Sequence, residues 1–133
     1  MIVLDASIIA KWFIEEQKSS SALYYRDLHT KKEETIVTPN IIIYELANLF
    51  RFKKDFSDEE ILSVLDALED FGIKMVHFGF RDSARIAIFA RDKDITVYDA
   101  AYIIVALDFG CKFVTADEKL YKKIKNLGFV ELL

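Results

Sequence analysis

Ile2-Val3-Leu4-Asp5-Ala6-Ser7 is an apolar run ended by a carboxylate and followed by small residues. It reads as a buried strand, Ile2 to Asp5, delivering the chain to a helix over Ser7 to Glu15. The same grammar recurs near the other end, where a strand over Lys112 to Thr115, introduced by Cys111, is followed at once by Asp117. Two buried strands that each end on an acid suggest an α/β sheet whose functional groups gather beyond the strands' carboxyl ends.

Between them the pattern alternates in the same way. Ser20 to Lys32 is helical, Thr35 to Thr38 is a strand, and Pro39 suits the first turn of a helix carrying Ile41 to Lys53. Ser57 with Glu60 makes a capping box for a helix ending near Phe71, with Gly72 as its stop. Ile73 to Phe78 is a third strand and Phe80 to Arg91 a helix. Thr96 with Asp99 resembles another cap, opening the apolar helix Ala100 to Phe109, which Gly110 terminates. Asp117 to Leu127 is a lysine-rich amphipathic helix ended by Gly128, and Phe129 to Leu132 is a last short strand. Continuous apolar strands joined by helices imply a mainly parallel sheet with right-handed crossovers.

The chain has 133 residues, 53% of them hydrophobic, and no Gly-, Pro- or Ser-rich segment divides it, so one domain over residues 1–133 is expected. Phe 11, Tyr 6 and Trp 1 exclude a disordered chain and leave apolar surface for a partner, with Trp12, Phe13, Leu49, Phe50, Phe52 and Phe56 as candidates. No apolar run reaches membrane-span length and no basic leader precedes Asp5, so the expected location is the cytoplasm, with no membrane contact. The single cysteine, Cys111, forms no internal disulfide and is expected to be a buried, inert thiol. His29 and His77 lack zinc-type spacing. The net charge of -4 argues against coating nucleic acid through a broad basic field, while allowing acids in one pocket with lysines around its rim.

Four acids stand out: Asp5, Glu45, Asp99 and Asp117. Taken singly, Asp5 and Asp117 can cap the helices that follow them, and Asp99 suits a first helical turn. Glu45 is different, because Ile41, Ile42, Ile43, Tyr44, Leu46, Ala47 and Leu49 surround it, and a carboxylate on so apolar a face is costly without a partner. If the four converge, their mutual repulsion requires a cation. An all-oxygen set selects a hard ion, Mg²⁺ or Mn²⁺. The remaining acidic runs, such as Asp58 to Glu60 and Asp66 with Glu69 and Asp70, are solvated faces, as are most of the lysines and arginines.

The segments Ile2 to Ser7, Pro39 through Glu45 to Asn48, Tyr98-Asp99-Ala100-Ala101-Tyr102 and Thr115-Ala116-Asp117 resemble, in order and spacing, the PIN-domain ribonucleases, especially the VapC-like toxins of toxin–antitoxin pairs. The resemblance implies a three-layer α/β/α fold with strand order 3-2-1-4-5, which sets the first and fourth strands side by side. It implies that Asp5, Glu45 and Asp99 bind metal, with Asp117 as a more variable fourth contributor, and that Ser7, Thr115 and Asn48 orient these ligands or water. It further implies Mg²⁺- or Mn²⁺-dependent cleavage of single-stranded or looped RNA, a homodimer, and a protein antitoxin presenting a basic or aromatic side chain to the acidic pocket. Two other classes stay open: a noncatalytic PIN-like interaction module, and a receiver-like domain phosphorylated on an aspartate, although the paired acids and late lysine of a receiver are missing.

Overall fold

The computed structural model describes all 133 residues. Its element order is β1 (Ile2–Leu4), α1 (Ala6–Ile9), α2 (Ser19–Thr30), β2 (Ile36–Pro39), α3 (Ile42–Phe52), α4 (Asp58–Asp70), β3 (Lys74–Val76), α5 (Phe80–Lys93), α6 (Val97–Phe109), β4 (Lys112–Thr115), α7 (Glu118–Ile124) and β5 (Val130–Leu132). The five strands form one sheet, all neighbours parallel, in the order β3-β2-β1-β4-β5. This is the order the resemblance implied.

β1 lies at the centre, with Ile2 opposite Ile36 on one side and Lys112 on the other. Val3, Leu4, Ile36, Val37, Phe113 and Val114 have no exposed surface, so helices cover both faces of the sheet and strand residues need be apolar without alternation. The chain leaves β1 toward β2 and β3, then returns to place β4 and β5 on the other flank. The exits of β1 and β4 therefore adjoin at the reversal, where a crevice opens.

The helix beneath that crevice is α6, in which every residue from Ala100 to Ala106 is buried. Thr96 caps it by accepting from the Asp99 amide at 3.0 Å, and Gly110 ends it at φ +61, a backbone region glycine enters without strain. Starting at Val97, it is one turn longer than the apolar run suggests, because the Thr96 cap sets its start and an acid such as Asp99 suits the first turn. The Ser57 capping box of α4 is present in both directions, Glu60 amide to Ser57 hydroxyl and Ser57 amide to Glu60 carboxylate.

Several expected boundaries move for physical reasons. A helix over Ser7 to Glu15 is not formed: α1 stops at Ile9 and a 3₁₀ turn follows over Ala10–Trp12. Trp12 turns inward so that its indole N–H donates to the Ala22 carbonyl at 3.0 Å, and its ring meets Phe71 edge-on at 5.4 Å. Ser19 then ties the connecting loop, donating to the Ile14 carbonyl and accepting from the Glu16 amide. Pro39 is the last residue of β2, opposite Val76, rather than the first turn of a helix. Its missing N–H is tolerated at a strand end as well as at a helix start. The lysine-rich helix is shorter than Asp117 to Leu127, since Lys125–Leu127 tightens to 3₁₀ before Gly128.

Of the apolar surplus, Trp12 and Phe50 are core, Phe13 and Phe56 pack against it, and Leu49 and Phe52 are exposed. Cys111 is half-buried rather than buried, because it precedes β4 instead of lying in it. His29 is structural, its Nε2 facing the Phe71 carbonyl at 2.9 Å and its Nδ1 the Ile36 amide at 3.2 Å, and His77 is exposed. No helix is long and apolar enough to cross a membrane.

Candidate metal centre

Asp5 is the first residue past β1, and its extended backbone lets the carboxylate turn back to cap α1, accepting from the Ile8 amide at 3.2 Å. The Ser7 hydroxyl donates to the same Asp5 oxygen, Oδ1, at 2.5 Å while accepting from the Ala116 amide at 2.9 Å. Ser7 thus ties the exit of β1 to the exit of β4. Thr115, fully buried at the end of β4, accepts from the Asp117 amide at 3.0 Å. Asp117 in turn caps α7, its Oδ1 accepting from the Lys119 and Leu120 amides at 2.8 and 3.0 Å.

The other two acids arrive on helices. Glu45 lies in the first turn of α3 and Asp99 in the first turn of α6, positions where the helix dipole favours negative charge. Tyr102, one turn along α6 from Asp99, is buried and donates its phenolic hydrogen to Glu45 Oε2.

These residues line one cleft of about 280 Å³, bounded by Asp5, Ser7, Glu45, Asn48, Leu49, Asp99, Tyr102 and Asp117. The acids are graded in depth, from Asp5, 7% exposed, through half-buried Glu45 and Asp99 to exposed Asp117 at the mouth. Each carboxylate feels the next. Burial raises the Asp5 carboxyl to about 6, with the Glu45 charge adding to it, against the pull of Ser7, Thr115 and the Ile8 amide. Burial also raises Glu45, aided by the Asp99 charge and opposed by the Tyr102 hydrogen bond. Asp99 is raised by burial and by Asp117, with Thr96 opposing.

None of the four acids forms an ion pair with a lysine, an arginine or the amino terminus. As the side chains stand, no three of them form a closed ligand set. An all-oxygen, uncompensated carboxylate cluster at the bottom of a cleft nevertheless has the donor chemistry that suits a hard divalent cation, whose charge would offset both the burial and the mutual repulsion that raise these groups.

The structure therefore brings Asp5, Glu45, Asp99 and Asp117 to one cleft, with Ser7 on Asp5, Thr115 beneath Asp117, and Asn48 on the rim without a hydrogen bond to the acids. Among the polar lining residues, Tyr102 alone had no role assigned from sequence. Tyr102 carried a usable signal, since a tyrosine three residues beyond an acid in an otherwise apolar helix must find a partner for its hydroxyl.

Residues 2–126 match the PIN domain family. Ribonuclease VapC3 of Pyrobaculum aerophilum is 28% identical over 130 residues, covering 95% of this chain and 96% of that protein. Among solved structures, the fold is similar to Mycobacterium tuberculosis VapC20, described as a Sarcin-Ricin loop cleaving toxin. That likeness has a TM-score of 0.73 at 16% identity over 98% of both chains. It is also similar to PAE2754 from Pyrobaculum aerophilum, with a TM-score of 0.70 at 20% identity over 98% of this chain and 87% of that one. At these identities the structural likenesses establish the fold.

Proposed function

The chain belongs to the PIN-domain family, and from that membership we propose that it is a VapC-like endoribonuclease, the toxin of a toxin–antitoxin pair, hydrolysing RNA phosphodiesters with Mg²⁺ or Mn²⁺. Residues 1–133 act as one domain in the cytoplasm. The observation that carries the reading is that four carboxylates from four separate parts of the fold line one cleft with no cation in its lining, and none of them forms an ion pair. A receiver-like role is set aside by the family assignment.

Asp5, Glu45 and Asp99 would hold the ion, with Asp117 completing the set from the mouth of the cleft. When bound, the ion supplies Lewis-acid activation of water and neutralises charge building on the phosphate. The protein's own groups set the geometry. Ser7 fixes which oxygen of Asp5 is turned toward the backbone, Thr115 holds the Asp117 amide, and Tyr102 holds Glu45 across the cleft. In the overall reaction a water oxygen bonds to phosphorus as a phosphoester P–O bond breaks, and the departing oxygen leaves as a hydroxyl. The substrate class is single-stranded or looped RNA, whose unpaired nucleotides are free to splay out toward a protein site.

The deciding experiment is cleavage of mixed cellular RNA. Purified protein cuts with Mg²⁺ or Mn²⁺ and not in chelator, and Asp99→Asn, which keeps the side chain's shape, loses the activity. Cleavage by Asp99→Asn at the parent rate refutes the assignment, and a folded parent that never cuts RNA leaves the noncatalytic PIN-like module.

The partners in this reading are a second copy of the chain and a protein antitoxin that presents a basic or aromatic side chain to the acid cleft. Supporting it, Tyr44, Leu62 and Phe80 are 70%, 63% and 98% exposed on three successive helices. Single exposed apolar residues need no explanation, but a series of them suits a covered surface. A protein that sediments as a monomer at high concentration, and ignores the product of a neighbouring small gene, contradicts this part alone.

A further inference from the structure

The acid cleft does not end at its own walls. Ser7, Leu49 and Asp117 also line a second cleft, of about 490 Å³, whose wall includes Lys11, Glu16, Phe52 and Lys53. That volume lies within the roughly 300 to 1,000 Å³ range of small-ligand sites. Phe52 closes α3 with its ring 66% exposed, and the Arg51 guanidinium sits over one face at 4.5 Å from the centroid. An exposed phenylalanine at the edge of a trough of mixed apolar and charged lining, with a cation already on its π-face, is chemically a stacking platform.

Charge decides what the trough can hold. Lys11 is paired with Glu16 at 2.8 Å, whereas neither Arg51 nor Lys53 has an acidic partner. With Lys11 and Glu16 offsetting each other, Lys53 in the lining and Arg51 beside Phe52 stand against Asp117 alone, so the Phe52 side carries the more positive charge of the two flanks. On the opposite flank, a cleft of about 390 Å³ shares Asp99 and Asp117 with the acid centre. Its Lys123 is occupied by Asp94 at 3.0 Å, so two aspartates face the remaining Lys119. A strand with one negative charge per nucleotide is favoured beside Phe52 and disfavoured on the other flank.

We propose that Phe52, Arg51 and Lys53 form a nucleotide subsite next to the scissile phosphate, Phe52 stacking a base while the two cations hold its phosphate. The inference rests on the ribonuclease reading for the class of ligand, and it adds the direction in which the strand leaves the acid cleft. Stacking on a side chain is tolerant of base identity, so the subsite contributes grip on unpaired RNA rather than sequence readout.

The test uses a fluorescein-labelled, mixed-sequence single-stranded RNA decamer and the full chain. Phe52→Ala is expected to weaken binding, read by anisotropy, and to raise KM by about 5- to 100-fold, with kcat within about twofold of the parent. Phe52→Trp should bind like the parent, and its emission should be quenched by the stacked base. Lys53→Ala should reduce the slope of log affinity against log salt by about 0.7.

Equal decamer binding by the parent and Phe52→Ala overturns the subsite, as does a loss confined to kcat. If Phe52→Ala instead loses only a co-purifying protein, Phe52 is a protein contact and the subsite is wrong. Anisotropy keeps the two readings separable. A parent that binds through Phe52 without cutting refutes the ribonuclease reading and supports the subsite, whereas cutting with no dependence on Phe52 does the reverse.

Discussion

The Tyr102 hydroxyl on α6 donates to Glu45 Oε2 on α3, joining two helices across the cleft that holds all four acids. The ring is held independently, buried and stacked on Phe113 at 6.1 Å with planes 14° apart. Replacing tyrosine by phenylalanine therefore removes the donor without moving the ring. A hydrogen bond to a charged group is worth about 1.5 to 3 kcal/mol.

Tyr102→Phe is accordingly expected to stay folded but to release Glu45. Because the Tyr102 hydrogen bond lowers the Glu45 pKa, its loss moves that carboxyl further up. The acid limb of the cleavage profile should shift to higher pH, and metal affinity, read by calorimetry, should fall by about tenfold or more. Unchanged metal affinity with an unchanged acid limb would show that the contact is only packing.

Asp5 gives a second pH dependence, in the absence of metal. Its folded value of about 6 lies above the ordinary 3.8, the reverse of a paired carboxylate. Below pH 3.8 both states are protonated and Asp5 has no effect. As pH rises through the window between 3.8 and about 6 the folded state alone keeps the proton, so stability falls, reaching a cost of about 3 kcal/mol. In chelator the parent should lose melting temperature across this window, and Asp5→Asn, which can still cap α1, should lose much less. Parallel curves for the two proteins would refute the shift.

The central strands were legible because β1 and β4 are buried on both faces, which makes continuous apolar runs rather than alternation diagnostic. Strand order was not, since periodicity reveals strands and not their neighbours; only the resemblance supplied it. Pro39 misled because a missing N–H is equally acceptable at a strand's end and a helix's start. The loop after Trp12 was invisible because it depends on hydrogen bonds from Ser19 and to the Ala22 carbonyl, not on local propensity. For the same reason the Tyr102 partner was hidden, lying 57 residues away on another helix.

Asp117 caps α7 and, in the proposed function, also completes the metal set, two roles that substitution can separate. Its Oδ1 caps α7 whatever happens in the cleft, and asparagine caps nearly as well as aspartate. Asp117→Asn should therefore melt like the parent in chelator while cutting RNA more slowly, less severely than Asp99→Asn. Asp117→Ala should also lose about 1 kcal/mol of stability with the cap. If both variants cut at the parent rate and differ only in melting, Asp117 is a helix cap and the metal set has three members.

The metal itself can be tested without any RNA. Burial first, and the neighbouring acid's charge second, raise the Asp5, Glu45 and Asp99 carboxyls, so their charged forms are costly in the folded state and an ion that binds only that state stabilises it. At 100 times its dissociation constant, Mg²⁺ or Mn²⁺ contributes about 2.7 kcal/mol, a rise in melting temperature of order 10 °C for a chain of this size. Asp99→Asn acts oppositely in the two conditions. Removing one charge from the cluster relieves repulsion, so in chelator it should melt no lower than the parent; removing one ligand weakens the ion, so with metal it should gain less. A parent whose melting ignores both ions, with Asp99→Asn destabilised equally with and without chelator, would mean that Asp99 only complements the dipole of α6 and that the cleft is not a metal centre.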